Sequence, residues 1–164
     1  MAKTLTPEQT AECAAIISTV DAVGFYADQR DWDRVKDQFS PSGAILDYRS
    51  MEGTGSEPAP QPREDIVAAW RTVLPGYDLT RHVMSNHQVT LNGDSAIVQS
   101  TIHATHLLDG EQWIFLGDYE HALEHTADGW KITRMTANMR GEIGNNDLSR
   151  LATEKVAAAN GQVD

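Results

Sequence analysis

Apolar residues near the start of the chain recur at helical spacing: Cys13, Ile16, Ile17, Val20, Val23 and Ala27 fall on one stripe, which predicts a long helix covering a core. Its start is written in Thr6-Pro7-Glu8-Gln9, with Thr6 as N-cap, Pro7 at the first helical position and Gln9 closing a capping box. Asp31 caps a shorter helix that turns Trp32, Val35 and Phe39 inward, and Ser40-Pro41 stops it, because proline disfavours helical geometry in the residue before it. Ala44, Leu46 and Tyr48 then alternate with Ile45, Asp47 and Arg49, the period of a strand. A third helix runs from about Pro62 to Leu74, with Ile66, Val67, Trp70 and Val73 inward, and ends at Pro75-Gly76.

Beyond this point the period changes to two. Strands are expected over Leu79–Leu91, Ser95–Leu108, Gln112–Thr126 and Trp130–Met139, separated by Asn92-Gly93, Asp109-Gly110 and Ala127-Asp128-Gly129. Asn92-Gly93 reads as a type I′ hairpin turn, in which both central residues need positive φ. Antiparallel strands this long must coil, so the expected architecture is α+β: a cone-shaped barrel of a long, strongly curved antiparallel sheet closed by three N-terminal helices. The stretch 51–62, MEGTGSEPAPQP, has no periodicity and is expected to be either a flap over a site or a floppy loop. A single domain over 1–164 is expected, its core at about 7–140 and the tail 141–164 a lid or a helix through Leu148, Leu151 and Val156.

Charge removes several partners. The 164 residues hold 13 Lys and Arg against 24 Asp and Glu, a formal net charge of -11 with the basic residues scattered, so nucleic acid and anionic membrane surfaces are not expected. The lone Cys13 allows no internal disulfide and reads as core. No apolar leader or spanning run is visible, and a cytoplasmic location is expected. The absence of a Gly-rich phosphate loop, GxSxG and HExxH argues against nucleotide hydrolases, serine hydrolases and zincins.

Chemistry concentrates in two places. Among the acids at Asp28, Asp31 and Asp33, the last two suit the start of the second helix, whereas Asp28 follows an apolar face and can point into the space which that helix covers. All six histidines lie on three successive strands: His82 and His87, His103 and His106, His121 and His125. Some must share the inner face; His87, His103 and His125 are candidates for the outer one. Three of them converging with a carboxylate on a metal is the competing reading, though the spacing is not diagnostic. An inner lining of Phe25, Trp70, Val98, Ile102, Phe115, Tyr119, Met135 and Met139 would suit a hydrophobic ring compound.

The runs YADQRDWDRVKDQF and DYRS, the Thr80-Arg81-His82 region and the DGWK turn at Asp128–Lys131 resemble scytalone dehydratase, in the wider nuclear transport factor 2-like group of polyketide cyclases, ketosteroid isomerase and related enzymes. The resemblance covers roughly residues 10–150. It implies catalytic roles for Asp28, His82, Tyr48 and His106, no cofactor, no metal, and a dimer or trimer joined across the outer sheet face, where Ile114 and Leu116 would lie. A family tyrosine falls at Ala27, beside Tyr26; a family serine falls near His121 and an asparagine near Leu123. These departures leave the dyad intact and bear on the substrate. Tyr26, Phe25, Trp70, Phe115, Tyr119, His121, Met135 and Asn138 are the expected substrate contacts.

The expected activity is cofactor-independent loss of water, or of a similar leaving group, from a small hydrophobic cyclic substrate. Such a step needs a base for the α-proton, a donor where enolate charge grows and an acid for the leaving group. Isomerase or cyclase chemistry uses the same parts. Epoxide hydrolysis would use Arg134 in the pocket, and a non-catalytic small-molecule binder could share the fold.

Overall fold

The computed structural model describes residues 5–53 and 55–161. Parts of three expectations lie outside them: the leader reading at residues 1–4, the loop reading at Thr54, and the end of the tail at 162–164. Helix α1, Pro7–Asp28, starts on the expected capping box, with the Thr6 hydroxyl accepting from the Gln9 backbone N–H at 3.2 Å and the Gln9 side chain accepting from the Thr6 N–H at 3.1 Å. Its stripe buries Ile16, Val20, Val23 and Ala27. Cys13, expected in the core, is only half-buried. Helix α2, Trp32–Gln38, is capped by Asp31, whose carboxylate accepts from the Arg34 N–H at 3.3 Å, while Asp33 is nearly fully exposed.

Strand β1, Ile45–Asp47, is shorter than the alternation predicts. Tyr48 caps a one-turn helix α3, Arg49–Glu52, and Asp47 is 4% exposed because Arg49 and Arg134 close over it. Helix α4, Arg63–Arg71, stops before the expected end, and Leu74–Gly76 forms a 3₁₀ turn. The long strands are β2 (Leu79–Asn92), β3 (Ser95–Leu108), β4 (Glu111–Thr126) and β5 (Gly129–Gly144), the last running beyond its expected end at Met139. The sheet order is β1-β5-β4-β3-β2, antiparallel throughout except for the β1–β5 edge.

The hairpin turns differ from one another. At Asp109-Gly110 both residues have positive φ, 51° and 83°, as a type I′ turn requires. Asn92 instead pairs with Ser95, so the first turn is Gly93-Asp94 and only Gly93 has positive φ, 59°; the expected type I′ turn at Asn92-Gly93 does not form. Register shifts at Ser85/Gln88, Leu116/Gly117 and Ala122/Leu123 bend the strands, and the sheet curls round an apolar interior. Helix α5, Leu148–Asn160, closes one end by burying Leu148 and Ala152. A Cβ on Gly76 would lie 2.0 Å from the Ala152 carbonyl oxygen, so only glycine lets the 3₁₀ turn meet α5. Among the described residues no helix is long and apolar enough to cross a membrane.

Candidate active site

Asp28 occupies the last turn of α1, and the way this helix ends aims it at β2. The Arg30 N–H donates to the Ala27 carbonyl at 3.1 Å and the Asp31 N–H to the Tyr26 carbonyl at 3.0 Å, the paired bonds of a Schellman ending. Arg30 takes its left-handed position at φ 60°, where glycine is usual and another residue costs about 1 kcal/mol. Asp28 Oδ1 then accepts from His82 Nδ1 at 2.7 Å and from the Thr80 hydroxyl at 2.9 Å, and Oδ2 accepts from the His82 backbone N–H at 2.8 Å. The carboxylate is 3% exposed and the imidazole 16%. Burial pushes the Asp28 pKa up, but the hydrogen bonds and charge of His82 outweigh it and the net shift is downward. An ionised carboxylate only accepts, so the His82 proton is assigned to Nδ1 and Nε2 is the ring's acceptor.

That pairing needs a close helix–strand contact. Gly24, one turn before Asp28, lies where a Cβ would come within 2.8 Å of the His82 Cβ. His82 thus reaches Asp28 across a contact that no larger residue would permit.

The imidazole forms part of the wall of a cavity of about 310 Å³. Of the expected side chains, Tyr48, Trp70, His106, Phe115, Tyr119, His121 and Met135 line it with His82. Three expected contacts do not. Phe25 projects outward and is 59% exposed, because it lies off the buried stripe of α1. Tyr26 packs half-buried under the Arg34 guanidinium at 5.2 Å, and Asn138 belongs to polar surface hollows on the sheet. Val98 and Ile102 are buried in the core, and they and Met139 are not among the lining residues. Sequence reasoning missed Met51, Tyr77 and Ser149, each in a turn or at a helix start where no periodicity marks a buried face. It also missed Met84, Ala104 and Trp113, which lie on β2, β3 and β4 where the alternation could have found them.

His106 is pressed between Tyr77 and Trp113, with ring centroids 4.9 and 4.7 Å away, and meets His82 edge-on at 5.4 Å. Its Nδ1 lies 3.3 Å from the Trp113 carbonyl, which can only accept, so that nitrogen carries the proton. Burial, and then the charge of His82, depress its pKa to about 4, and it is neutral at neutral pH. His121 is fully buried, neither ring nitrogen has a hydrogen-bond partner, and burial depresses its pKa to about 3. Tyr119, 5.6 Å from His121, has its phenol pushed up to about 12 by burial and stays a donor.

His103 and His125 are exposed, as alternation predicts. His87 is not: Asn86 takes φ 55° at the β2 register shift, which inverts the alternation and turns His87 onto α1, where Nε2 meets Asp21 Oδ1 at 2.9 Å. Among the described residues no three His, Cys, Asp or Glu side chains are grouped to hold a metal ion. Arg134, considered for the pocket, is instead bound to Asp47 at 2.6 Å and to Glu57 at 2.9 Å, and Arg49 bridges the same two acids. Hydrogen bonds from Arg49, ahead of those from Arg134, hold the Asp47 carboxyl well below the usual range despite its burial.

The chain is similar to known proteins over most of its length. Residues 8–136 match the SnoaL-like domain. Among solved structures, the Kfla4162 protein from Kribbella flavida is 25% identical, with a TM-score of 0.79 over 86% of this chain and 98% of that one. A candidate scytalone dehydratase from Novosphingobium aromaticivorans is 18% identical, with a TM-score of 0.71 over 87% of this chain and 93% of that one. A type 2 hexachlorocyclohexane dehydrochlorinase is 17% identical, with a TM-score of 0.67 over 84% of this chain and 91% of its own. The last two likenesses show a shared fold. No curated protein matches in a sequence comparison. The match over residues 8–136, which spans most of the helix-closed, curled sheet, means that this chain belongs to the SnoaL-like domain family.

Proposed function

We propose that the protein is a cofactor-independent lyase that eliminates water, or a comparable leaving group, from a small hydrophobic cyclic substrate. The observation that carries this reading is the Asp28–His82 pair: a buried carboxylate holds one ring nitrogen at 2.7 Å, and the same ring forms part of the wall of a largely apolar cavity. At about 310 Å³ the cavity is at the small end of ligand sites and suits a compact one- or two-ring compound. Relatives on this fold that carry the names dehydratase and dehydrochlorinase support elimination chemistry as the reaction class.

In this reading His82 Nε2 takes the proton α to a carbonyl, and Asp28 stabilises the imidazolium that forms. Charge grows on the carbonyl oxygen, where Tyr48 serves directly or through a water, and Tyr119 remains protonated as a second donor. The C–O bond then breaks and the departing hydroxide needs a proton. His106 is poorly suited to give one, since it is neutral and its one N–H is held by the Trp113 carbonyl. His82, 5.4 Å away, returns its newly acquired proton instead, which closes the cycle and requires proton and leaving group on one face of the ring. His106 Nε2 accepts from the substrate hydroxyl and orients it. Tyr48, Trp70, Phe115, Tyr119, His121 and Met135 enclose the ring.

The test is a screen of small hydrophobic β-hydroxy ketones for loss of water, with His82→Ala as control. Turnover that survives in His82→Ala at the wild-type rate would reject the dyad.

A further inference from the structure

Arg30 is an unusual residue to find where it sits. The left-handed position after a helix is most often glycine, and here it is filled by an arginine at φ 60°. Its side chain runs back under the site. Nη1 donates to the Ala27 carbonyl at 2.7 Å and to the Thr80 hydroxyl oxygen at 2.8 Å, and Nη2 donates to the Leu74 carbonyl at 2.6 Å. The Thr80 hydroxyl lies 2.9 Å from Asp28 Oδ1, the same oxygen that holds His82 Nδ1.

The direction of every proton in this chain is forced. A guanidinium has no acceptor, so the Thr80 oxygen must receive from Arg30. An ionised carboxylate has no donor, so the single Thr80 proton must go to Asp28. With Arg30 absent, the hydroxyl could turn its proton to a backbone carbonyl instead, leaving Asp28 Oδ1 with one bond fewer. We infer that Arg30 is a positioning residue: acting through Thr80, it fixes the Asp28 carboxylate in place and so holds the His82 ring, whose proton Asp28 keeps on Nδ1, with Nε2 aimed at the cavity as base. This rests on the reading of Asp28 and His82 as the acid–base pair. The left-handed backbone fits that role, because it lets the guanidinium double back beneath α1 to reach Thr80.

A purely structural Arg30 would only stitch α1, β2 and the 3₁₀ turn together, and the two roles separate experimentally. Arg30→Gly suits the left-handed backbone and Thr80→Val keeps the shape of the side chain, so both variants retain the fold. In protein labelled with ¹⁵N-histidine, with the His82 signals identified by their loss in His82→Ala, the wild type should show Nδ1 protonated and Nε2 bare. Both variants should keep that tautomer, because Asp28 stays ionised, but shift the Nδ1 resonance as its bond to a less firmly held carboxylate loosens, and Thr80→Ser should restore the wild-type shift. On a β-hydroxy ketone that the wild type dehydrates, both should lose about tenfold in kcat with KM unchanged, the scale of one hydrogen bond. Unchanged ¹⁵N shifts with kcat within twofold would overturn the inference. A changed Nδ1 shift in variants of a protein whose His82→Ala form still turns over would support the positioning role and reject the dyad reading, so the two failures are distinguishable.

Discussion

Gly24 on α1 and His82 on β2 meet so closely that a methyl group on the glycine would lie 2.8 Å from the histidine Cβ. The dyad depends on this contact, since Asp28 projects from the same helix one turn later. Gly24→Ala must push α1 from β2 or displace His82, and overpacking of this kind costs roughly 1–3 kcal/mol. Turnover should fall further than stability explains, by about 10²-fold, because a shift of about 1 Å in a catalytic group has that effect. Thermal melting and kcat measured on the same preparation check it; an unaltered kcat would show that the contact does not set the dyad geometry.

Asp28→Asn and His82→Ala should each lose roughly 10²- to 10⁴-fold in turnover with the fold intact, the worth of positioned proton transfer. The asparagine can offer its N–H to His82 Nδ1, which would move the ring proton to Nε2 and remove the base. Because the two residues act as a unit, the double variant should be no slower than the worse single one. Multiplicative losses would mean that Asp28 and His82 act independently.

Much of this was legible in the chain. The Thr6 capping box, the Asp31 cap and the period-two runs specify local structure through side chains that act within a few residues, so the elements and the inward parity of His82, His106 and His121 follow from sequence. Asp28 stood out because no local role accounted for it. What was not legible arises from contacts between distant segments. The bulge at Asn86 reverses the face of His87, and nothing in Ser85-Asn86-His87 announces it. Gly24 and Gly76 look like weak points in helical or turn sequence until β2 and α5 are placed against them. The burial of Asp47 was not legible either, because its partner Arg134 is on a strand far along the chain.

Gly76→Ala tests whether α5 is part of the cavity. The added carbon would fall 2.0 Å from a backbone oxygen of Ala152, which cannot swing aside, so α5 must lift from the 3₁₀ turn. Leu148 and Ala152 would lose their burial, and Ser149 its place in the wall. Amide exchange in Leu148–Asn160 should accelerate at least tenfold while β3 and β4 keep their protection, and KM should rise more than kcat falls. Unchanged exchange in α5 would show that the helix is held by other contacts.

Acid should destabilise the protein well above the pH at which carboxylates protonate. His106 and His121 are held neutral, with pKa values depressed to about 4 and about 3, whereas a histidine in the unfolded chain titrates near 6.5. Between those values the unfolded state binds more protons than the folded one, so stability rises with pH across the window. It is therefore fully present above about pH 6.5 and is lost as pH falls towards 4 and then 3, with an upper bound of about 3 kcal/mol from His106 and about 5 kcal/mol from His121. Asp28, whose carboxyl lies below its ordinary 3.8, works in the same direction but only below that value. Urea unfolding at pH 7 and pH 5 measures the slope. His121→Leu separates the two histidines: it should remove part of the slope and raise stability at pH 7 by about 1 kcal/mol, because two buried nitrogens without partners are replaced by carbon. A variant with the wild-type slope would mean that His121 is not the group being charged.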